Sequence, residues 1–546
     1  MSTQAFAPEK AKGFRILQPE STHTGAPIRE VPRGLPKTTD SLCPECGKVI
    51  TALLREDGGK VVMEKQCREH GEFRDIVYSD VELYLKMERW TFGDNKGIAN
   101  PMVPEGKVCP DDCGLCSMHT SHTGLANIDL TNACNLTCPV CFANANTAGY
   151  LYEPGLEHIR KMLLTLRETK PVSGRIVQFS GGEPTIYPRF FDVLRMAREM
   201  GFSHLQAATN GIKFADLEFA QQAAEAGLHT LYLQFDGVTD DVYRRTRGER
   251  LWETKLKAIE NVKKAGLKIV FVPTIVKGLN DHQIGDIIRV ALDNIECVSG
   301  ISFQPVAFTG RIAKAELEAK RFTLADFAHA VKNQTGICDP YEDWFPLSCV
   351  TPFSKLIGAL RGEEITTLSS HPHCAMGTYL FVDANRRATP VTQFMDMGAA
   401  LQDLDREARR AGKNRFVKLF SKVNAWNTLR KHFHADRAPE GLTFTRFLQT
   451  IQGMTDKSYG RGKGDGEFTY KTLMIAGMHF MDAYNYDVER VKRCVIHYAA
   501  PDGKLYPFCT YNSGPTFRER IEKDYSVPLP AGMRLNGSGK NGCGGC

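Results

Sequence analysis

Three observations predict an α/β fold built around a partial barrel of six βα units, flanked by cysteine-rich segments that hold metal. Between about residues 126 and 310, short apolar runs alternate with amphipathic stretches at helical spacing. The chain carries 17 cysteines in 546 residues, and most of them fall in clusters. The composition is otherwise ordinary, with 42% hydrophobic and 24% charged residues, so the chain can bury a large core.

The elements follow in order. Residues 1–40 are rich in Pro, Thr, Ser and Gly without periodicity, and are expected to form a mobile tail. Residues 41–100 hold Cys43 and Cys46 in CPEC, then Cys67 and His70 in CREH. Two short-spaced pairs across a hairpin-sized insert read as a rubredoxin-like or zinc-ribbon module for one iron or zinc. The insert ITALLREDGGKVVMEK has a DGG turn between two alternating runs, which suits a hairpin. His70 is a candidate ligand and equally well a surface histidine. Residues 101–125 carry Cys109, Cys113 and Cys116 in CPDDCGLC, read as an auxiliary cluster segment. His119 and His122 follow, as candidate ligands or substrate contacts, with surface or core placement the simpler expectation.

Residues 126–315 are the expected barrel. Its strands are read at NIDL (127–130), RIVQFS (175–180), HLQAAT (204–209), TLYLQFD (230–236), KIVFVPTI (268–275) and ISFQPV (301–306). Helical patterns such as PGLEHIRKMLLTLRET and PRFFDVLRMAREMGF lie between them, so the sheet is parallel and covered by helices. Six units over this length fit an open or partial barrel better than a closed eight-unit one. The working site of such a sheet lies at the carboxyl ends of its strands. Residues 316–530 are read as a C-terminal auxiliary domain, interrupted by SYGRGKGDGE (458–467). Cys349, Cys374, Cys494 and Cys509 form a further set there, grouped as one shared metal site, and the last two bracket a hairpin turning at APDG (500–503). Cys297 and Cys338 read as buried small hydrophobes. Residues 531–546 are a flexible Gly/Cys tail, whose Cys543 and Cys546 receive no role.

A net charge of +6 is small for this length and does not mark a nucleic-acid binder. No run of about 18 apolar residues is present, and the start MSTQAFAPEKAKGF lacks an apolar signal core. The chain is therefore expected in the cytoplasm, where clustered cysteines indicate metal or catalysis rather than disulfides.

The chemistry centres on Cys134, Cys138 and Cys141, spaced CxxxCxxC just past the first barrel strand. Three thiolates on a four-iron cluster leave one iron open to a substrate or cofactor. On spacing alone, a structural zinc with a fourth ligand from elsewhere suits equally well. After the second strand comes SGGEP, with Gly181, Gly182, Glu183 and Pro184. Glycines allow close backbone approach and Glu183 offers an acceptor. Asn210 after the third strand, and Gln234 and Asp236 at the end of the fourth, are candidate ribose or substrate contacts, or else strand-end caps. Thr274 and Gln304 are weaker candidates of the same kind.

This triplet followed by SGGEP, in this order on these strands, resembles the radical S-adenosylmethionine (radical SAM) superfamily over residues 126–310. The resemblance implies a partial (βα)6 TIM-like barrel and a site-differentiated 4Fe-4S cluster on Cys134, Cys138 and Cys141. It also implies S-adenosyl-L-methionine as cofactor, chelated by the open iron and approached by the Gly181–Pro184 loop. Reductive cleavage of that cofactor would give a 5′-deoxyadenosyl radical for hydrogen abstraction. An electron donor such as flavodoxin or ferredoxin is implied as well. One departure stands out: the family often has an aromatic residue before the third cysteine, where this chain has Val140, while Phe142 follows Cys141.

The wider cysteine layout is more specific. CPEC, CREHGE, CPDDCGLCSMHTSHT, TNACNLTCPVCFANA, HPHC and CVIHYAAPDGKLYPFCTYN together resemble the tetraether lipid synthase family, whose members are also described as pterin-methylating radical enzymes. This narrower likeness implies two auxiliary 4Fe-4S clusters, one mononuclear iron, and coupling of saturated lipid-chain carbons. The alternative is C-methylation of a pterin-like ring. An electron carrier and a peptide maturase share some of the same motifs. For a lipid, the independent support is a basic amphipathic pattern at 413–433, with Phe416, Leu419, Phe420, Val423, Trp426, Leu429 and Phe433 at helical spacing. It permits peripheral membrane contact, and packing on the domain core is the blander reading.

Overall fold

The computed structural model describes residues 31–93, 96–309, 317–411, 424–455, 471–515 and 517–529. The first element is a four-stranded antiparallel ribbon in chain order: β1 (Lys37–Leu42), β2 (Val49–Asp57), β3 (Lys60–Cys67) and β4 (Gly71–Tyr78). The predicted hairpin turns at Gly58 and Gly59, whose φ values of 57° and 77° are those a tight two-residue turn requires. Helix α1 (Val81–Arg89) follows, capped by the Asp80 carboxylate on two backbone N–H groups.

All six predicted barrel strands are present: β5 (Leu125–Thr131), β6 (Ile176–Gly181), β7 (His204–Thr209), β8 (Thr230–Gln234), β9 (Lys268–Val272) and β10 (Val298–Pro305). They pair parallel, each with the next in sequence. The strands alternate between two environments. Ile128, Val177, Phe179, Leu205, Leu231 and Leu233 face outward into the main hydrophobic core. The helices supply the other half of that core: α2 (Leu156–Glu168) buries Ile159, Met162, Leu163 and Leu166, one face at helical spacing. The alternate residues Asn127, Gln178, Ser180, Tyr232 and Gln234 face inward and are polar. Helices α3 (Phe190–Glu199), α4 (Leu217–Ala226), α5 (Asp240–Arg247), α6 (Trp252–Lys264) and α7 (Ile284–Asp293) lie between the later strands.

The C-terminal part extends this sheet at both edges. Strand β12 (Lys471–Met478) lies parallel to β10, and β11 (Ala375–Val382) pairs antiparallel with β12. At the other edge β13 (Ile496–Ala499) lies parallel to β5, and its hairpin partner β14 (Leu505–Pro507) turns at the predicted APDG. Two parallel strands thus join the predicted six.

Buried charges lock the ribbon to the barrel. Arg321 donates to Asp75 Oδ2 (2.5 Å) on β4 and to Asp482 Oδ2 (2.7 Å), with all three side chains at most 3% exposed. Glu88 on α1 accepts from Gly34 N (2.7 Å), pairs with Lys37, and faces His373 Nε2 at 3.2 Å. Burial drives His373 down to about 4, so it is neutral at pH 7 and Lys37 is the cation of the group. Burial opposes ionisation of Glu88, but His373 and Lys37 outweigh it and hold the carboxyl at about 2. A lowered folded pKa stabilises at pH above the unfolded value and loses that contribution as pH falls toward the folded one. Glu88→Gln is therefore expected to cost about 3 kcal/mol at neutral pH. The difference from wild type should close between about pH 4.5 and about pH 2 in denaturant titrations.

Of the basic segment 413–433, residues 413–423 lie outside the described residues. Trp426 is exposed and rests edge-on against Phe444, but Leu429 and Phe433 pack inward, Phe433 lying 5.9 Å from Phe394. The described part of this helix is thus a core-packed one. No described helix is long and apolar enough to cross a membrane.

Candidate active site and metal centres

The cysteine triplet and the SGGEP loop are held together by backbone. Gly182 N donates to Thr131 O (2.7 Å) and Glu183 N to Ala133 O (2.9 Å), so the loop after β6 is stitched to the loop after β5. The approach is close enough to exclude side chains. A Cβ on Gly181 would lie 2.2 Å from Thr131 O, and one on Gly182 2.1 Å from Ala133 O. Cys134 and Cys138 are buried, and backbone N–H groups of Leu136 and Ala145 point at the sulfurs of Cys134 and Cys141, each at 3.4 Å. Burial pushes the Cys134 and Cys138 thiols up, so they ionise readily only with a cation or metal beside them. Thiols that converge beside backbone donors fit an iron–sulfur ligand set.

Glu183 lines the cavity and is already an acceptor within the protein. Its buried carboxylate accepts from Thr185 N (3.1 Å), Thr185 Oγ1 (2.6 Å), Thr209 Oγ1 (2.7 Å) and Asn210 N (2.8 Å). It pins the loops after β6 and β7 together and leaves the glycines as the loop's approachable edge. Pro184 opens the short turn behind it. Asn210 lines the cavity, and its Nδ2 donates to Asn135 Oδ1 (2.6 Å) inside the cysteine loop.

Asp236 is likewise no open contact. It is fully buried, accepts from Arg247 NH2 (2.9 Å) and Nε (2.5 Å), and caps Thr274 N (3.0 Å). Arg247 also donates to Val140 O (2.9 Å) and stands beside the Cys138 sulfur. Sequence reasoning missed Arg247, and the RRTRG run at the end of α5 looks like an ordinary basic helix terminus. Gln234 lines the cavity with its amide fixed: Oε1 accepts from Lys255 Nζ (3.0 Å) and Nε2 donates to Asp236. Lys255 is wholly buried, and desolvation brings it down to about 7.

These loops ring a cavity of about 280 Å³ that runs from the cysteine triplet down into the sheet's inner face. Its mouth is aromatic: Phe480 stacks on Phe508 (4.0 Å between ring centres), with Phe142 5.4 Å from Phe508. The strands contribute the polar Asn127, Gln178, Ser180, Tyr232 and Gln304 to its wall, with the apolar Leu125 and Ile496 nearer the strand starts. From helix α8 (Phe517–Asp524), Arg518 reaches the same cavity, bound to Asp129 Oδ2 (2.5 Å) and lying over the Tyr498 and Tyr511 rings. Neither Arg518 nor the aromatic mouth carried a sequence signal, because Phe480, Tyr498 and Phe508 come from the C-terminal part.

Three further cysteine groups surround this site. In the ribbon, ligand atoms of Cys43, Cys46, Cys67 and His70 all lie within 4.8 Å of one another, so the candidate His70 joins the three cysteines. Backbone N–H of Glu69 and the His70 ring hold Cys67 at about 6, ready to ligate. Cys109, Cys113 and Cys116 lie within one another's electrostatic reach, and burial raises Cys109 to about 12. Cys374, Cys494 and Cys509 make the third group, beside the buried Arg490. Arg490 donates to His479 O (2.7 Å) with Asp487 as a charged neighbour, and metal-bound thiolates would offset its charge further. Cys349 does not share that neighbourhood. Its thiol rests on Trp90 O (3.7 Å) with Lys86 as its charged neighbour, so the expected set of four becomes a set of three. His119 and His122 are buried core residues, hydrogen-bonded to Cys494 O (2.9 Å) and Thr367 N (3.0 Å). Cys297 and Cys338 sit in the main core, while Cys543 and Cys546 lie outside the described residues.

Residues 128–291 match the Radical SAM superfamily profile, and residues 35–79 match the HMPTM N-terminal zinc ribbon domain. Along 503 residues the chain is 43% identical to 7,8-dihydro-6-hydroxymethylpterin dimethyltransferase of Methanocaldococcus jannaschii, covering 92% of this chain and 97% of that one. This chain is a radical SAM enzyme of that relative's family. A radical SAM domain implies a 4Fe-4S cluster and S-adenosylmethionine, and the cysteine triplet has the donors for it. Over 189 residues this radical SAM chain is also 26% identical to a GTP 3′,8-cyclase of Trichormus variabilis, across 33% of this chain and 56% of that one. Among solved structures, Streptococcus suis SuiB bound to S-adenosylmethionine matches at 18% identity and a TM-score of 0.33, over 39% of this chain and 47% of that one. The relative from Methanocaldococcus jannaschii, matched over nearly its whole length, bears the name of a pterin dimethyltransferase. Of the two readings raised by the sequence, the family therefore favours the alternative, and lipid chemistry and membrane contact gain no support.

Proposed function

We propose that this radical SAM enzyme methylates the ring of a reduced pterin or a close heterocyclic relative. The observation that carries the reading is the polar wall that the strands present to the cavity, with one unpaired amide in it. Carboxamides and hydroxyls on β5, β6, β8 and β10 face the space below the cysteine triplet. Gln178, Ser180, Tyr232 and Gln304 are paired within the protein, but the Asn127 amide N–H is not, and a heterocycle bearing a ring carbonyl can pair it where a saturated chain cannot. The full-length relative acts on such a ring by its name.

When bound, the cluster and S-adenosylmethionine supply a carbon-centred radical able to take hydrogen from an unactivated carbon. Cys134, Cys138 and Cys141 hold the iron, with Arg247 offsetting thiolate charge at Cys138. The Gly181–Gly182 edge, Asn210 and Gln234 are the groups placed to receive the cofactor, each fixed by the hydrogen bonds above. Cys109, Cys113 and Cys116, and Cys374, Cys494 and Cys509, are assigned to two auxiliary clusters. Cys43, Cys46, Cys67 and His70 are assigned to a single zinc or iron. A small one-electron protein of the flavodoxin or ferredoxin type completes the system as reductant.

The aromatic mouth of Phe142, Phe480 and Phe508 favours a second reading, coupling of saturated lipid-chain carbons. Anaerobic incubation with a one-electron reductant, S-adenosylmethionine as both radical source and methyl donor, and either the reduced pterin or lipid extract, followed by mass spectrometry, separates the two. A pterin product heavier by one or two methylene units supports the proposal. Joined chains with loss of two hydrogens, and no heavier pterin, would sink it.

A further inference from the structure

At one level of the barrel, four neighbouring strands present a continuous belt. Tyr498 on β13 pairs in register with Asn127 on β5, Asn127 with Gln178 on β6, and Gln178 with Gln206 on β7. The three carboxamides are wired in one direction. Gln206 Nε2 donates to Gln178 Oε1 (2.9 Å), and Gln178 Nε2 donates to Asn127 Oδ1 (2.8 Å). The belt therefore ends in the Asn127 amide nitrogen, which has no hydrogen-bond partner among the described residues although Asn127 is only 1% exposed. Asn127 lines the cavity below the cysteine triplet, and so does Tyr498 beside it.

A buried amide N–H₂ without an acceptor is costly, and the great majority of buried polar groups have partners. Leucine at this position would fill similar volume without that cost. The relay toward Asn127 also polarises its amide, which strengthens it as a donor. We infer that Asn127 is a specificity-determining residue that donates to the ring carbonyl oxygen of a lactam-bearing heterocycle, with the Tyr498 ring beside that edge. This rests on the pterin reading and adds the residue and the atom that recognise the ring.

The test is a binding titration on the cluster-reconstituted full chain, using 6-hydroxymethyl-7,8-dihydropterin and its analogue lacking the ring carbonyl oxygen. Wild type is expected to prefer the carbonyl compound by about tenfold, and Asn127→Leu to bind the two alike. A merely structural Asn127 would weaken both ligands together and keep their ratio. Retention of the wild-type preference in Asn127→Leu overturns the assignment while leaving the pterin reading standing. Failure of wild type to bind the pterin at all overturns both. If Asn127→Leu does not fold, Asn127→Ala reads the same ratio.

Discussion

Cys138→Ala is expected to reduce 5′-deoxyadenosine formation to background while the protein stays folded. Three thiolates leave one iron open, and a cluster that loses one of the three has no described thiol in this loop to replace it. The fold should tolerate the change because the neighbouring buried charge keeps its partner. Arg247 remains bound to Asp236 through Nε (2.5 Å) and NH2 (2.9 Å) whether or not the sulfur is there. The other cysteine groups lie on different segments, so the variant should lose one cluster's worth of iron and keep the rest. Iron analysis, electron paramagnetic resonance and cofactor-cleavage assays on one preparation check all three points. Cleavage at the wild-type rate would refute the assignment of the triplet.

Arg321→Met is expected to have the largest effect on stability. It leaves the Asp75 and Asp482 carboxylates buried, facing one another without their shared cation. Removing one partner of a buried ion pair costs about 3–5 kcal/mol. The low end is expected here, because buried Lys65 is a second cation near both carboxylates and donates to Ala483 O (2.6 Å). Adding Asp75→Leu should recover part of the loss, since one uncompensated charge is then gone. Asp482 retains backbone donors at Phe308 N (2.8 Å) and Tyr484 N (3.0 Å). Chemical denaturation of the two variants is the measurement, and a loss below about 1 kcal/mol in Arg321→Met would show that this lock is not what holds the ribbon down.

The parts of the molecule legible in the sequence are those governed by local pattern. The six barrel strands lie within a few residues of the apolar runs that marked them, because strand and helix periods differ and short loops punctuate them. The ribbon hairpin was readable from DGG for the same reason. The hairpin of β13 and β14 was readable from APDG, but the pairing of β12 with β10 and of β13 with β5 was not, because it joins segments far apart in the chain and no local pattern encodes it. Cysteine spacing likewise identifies a loop that can grip metal but not which distant cysteines meet, so Cys349 was grouped with residues it does not approach. Asp236 and Glu183 stood at the expected strand ends but turned inward, each drawn to donors on neighbouring loops. The polar belt was present in the strings NID, VQF and LQA, where polar residues alternate with apolar ones. Alternation alone marks two faces of each strand but not which polar residues meet across strands, which depends on register.

The most direct test is substrate-dependent cofactor cleavage by the reconstituted enzyme under reducing, anaerobic conditions. The 7,8-dihydropterin is expected to accelerate 5′-deoxyadenosine formation, and lipid extract to leave it unchanged. Acceleration by lipid extract with none from the pterin would overturn the pterin reading.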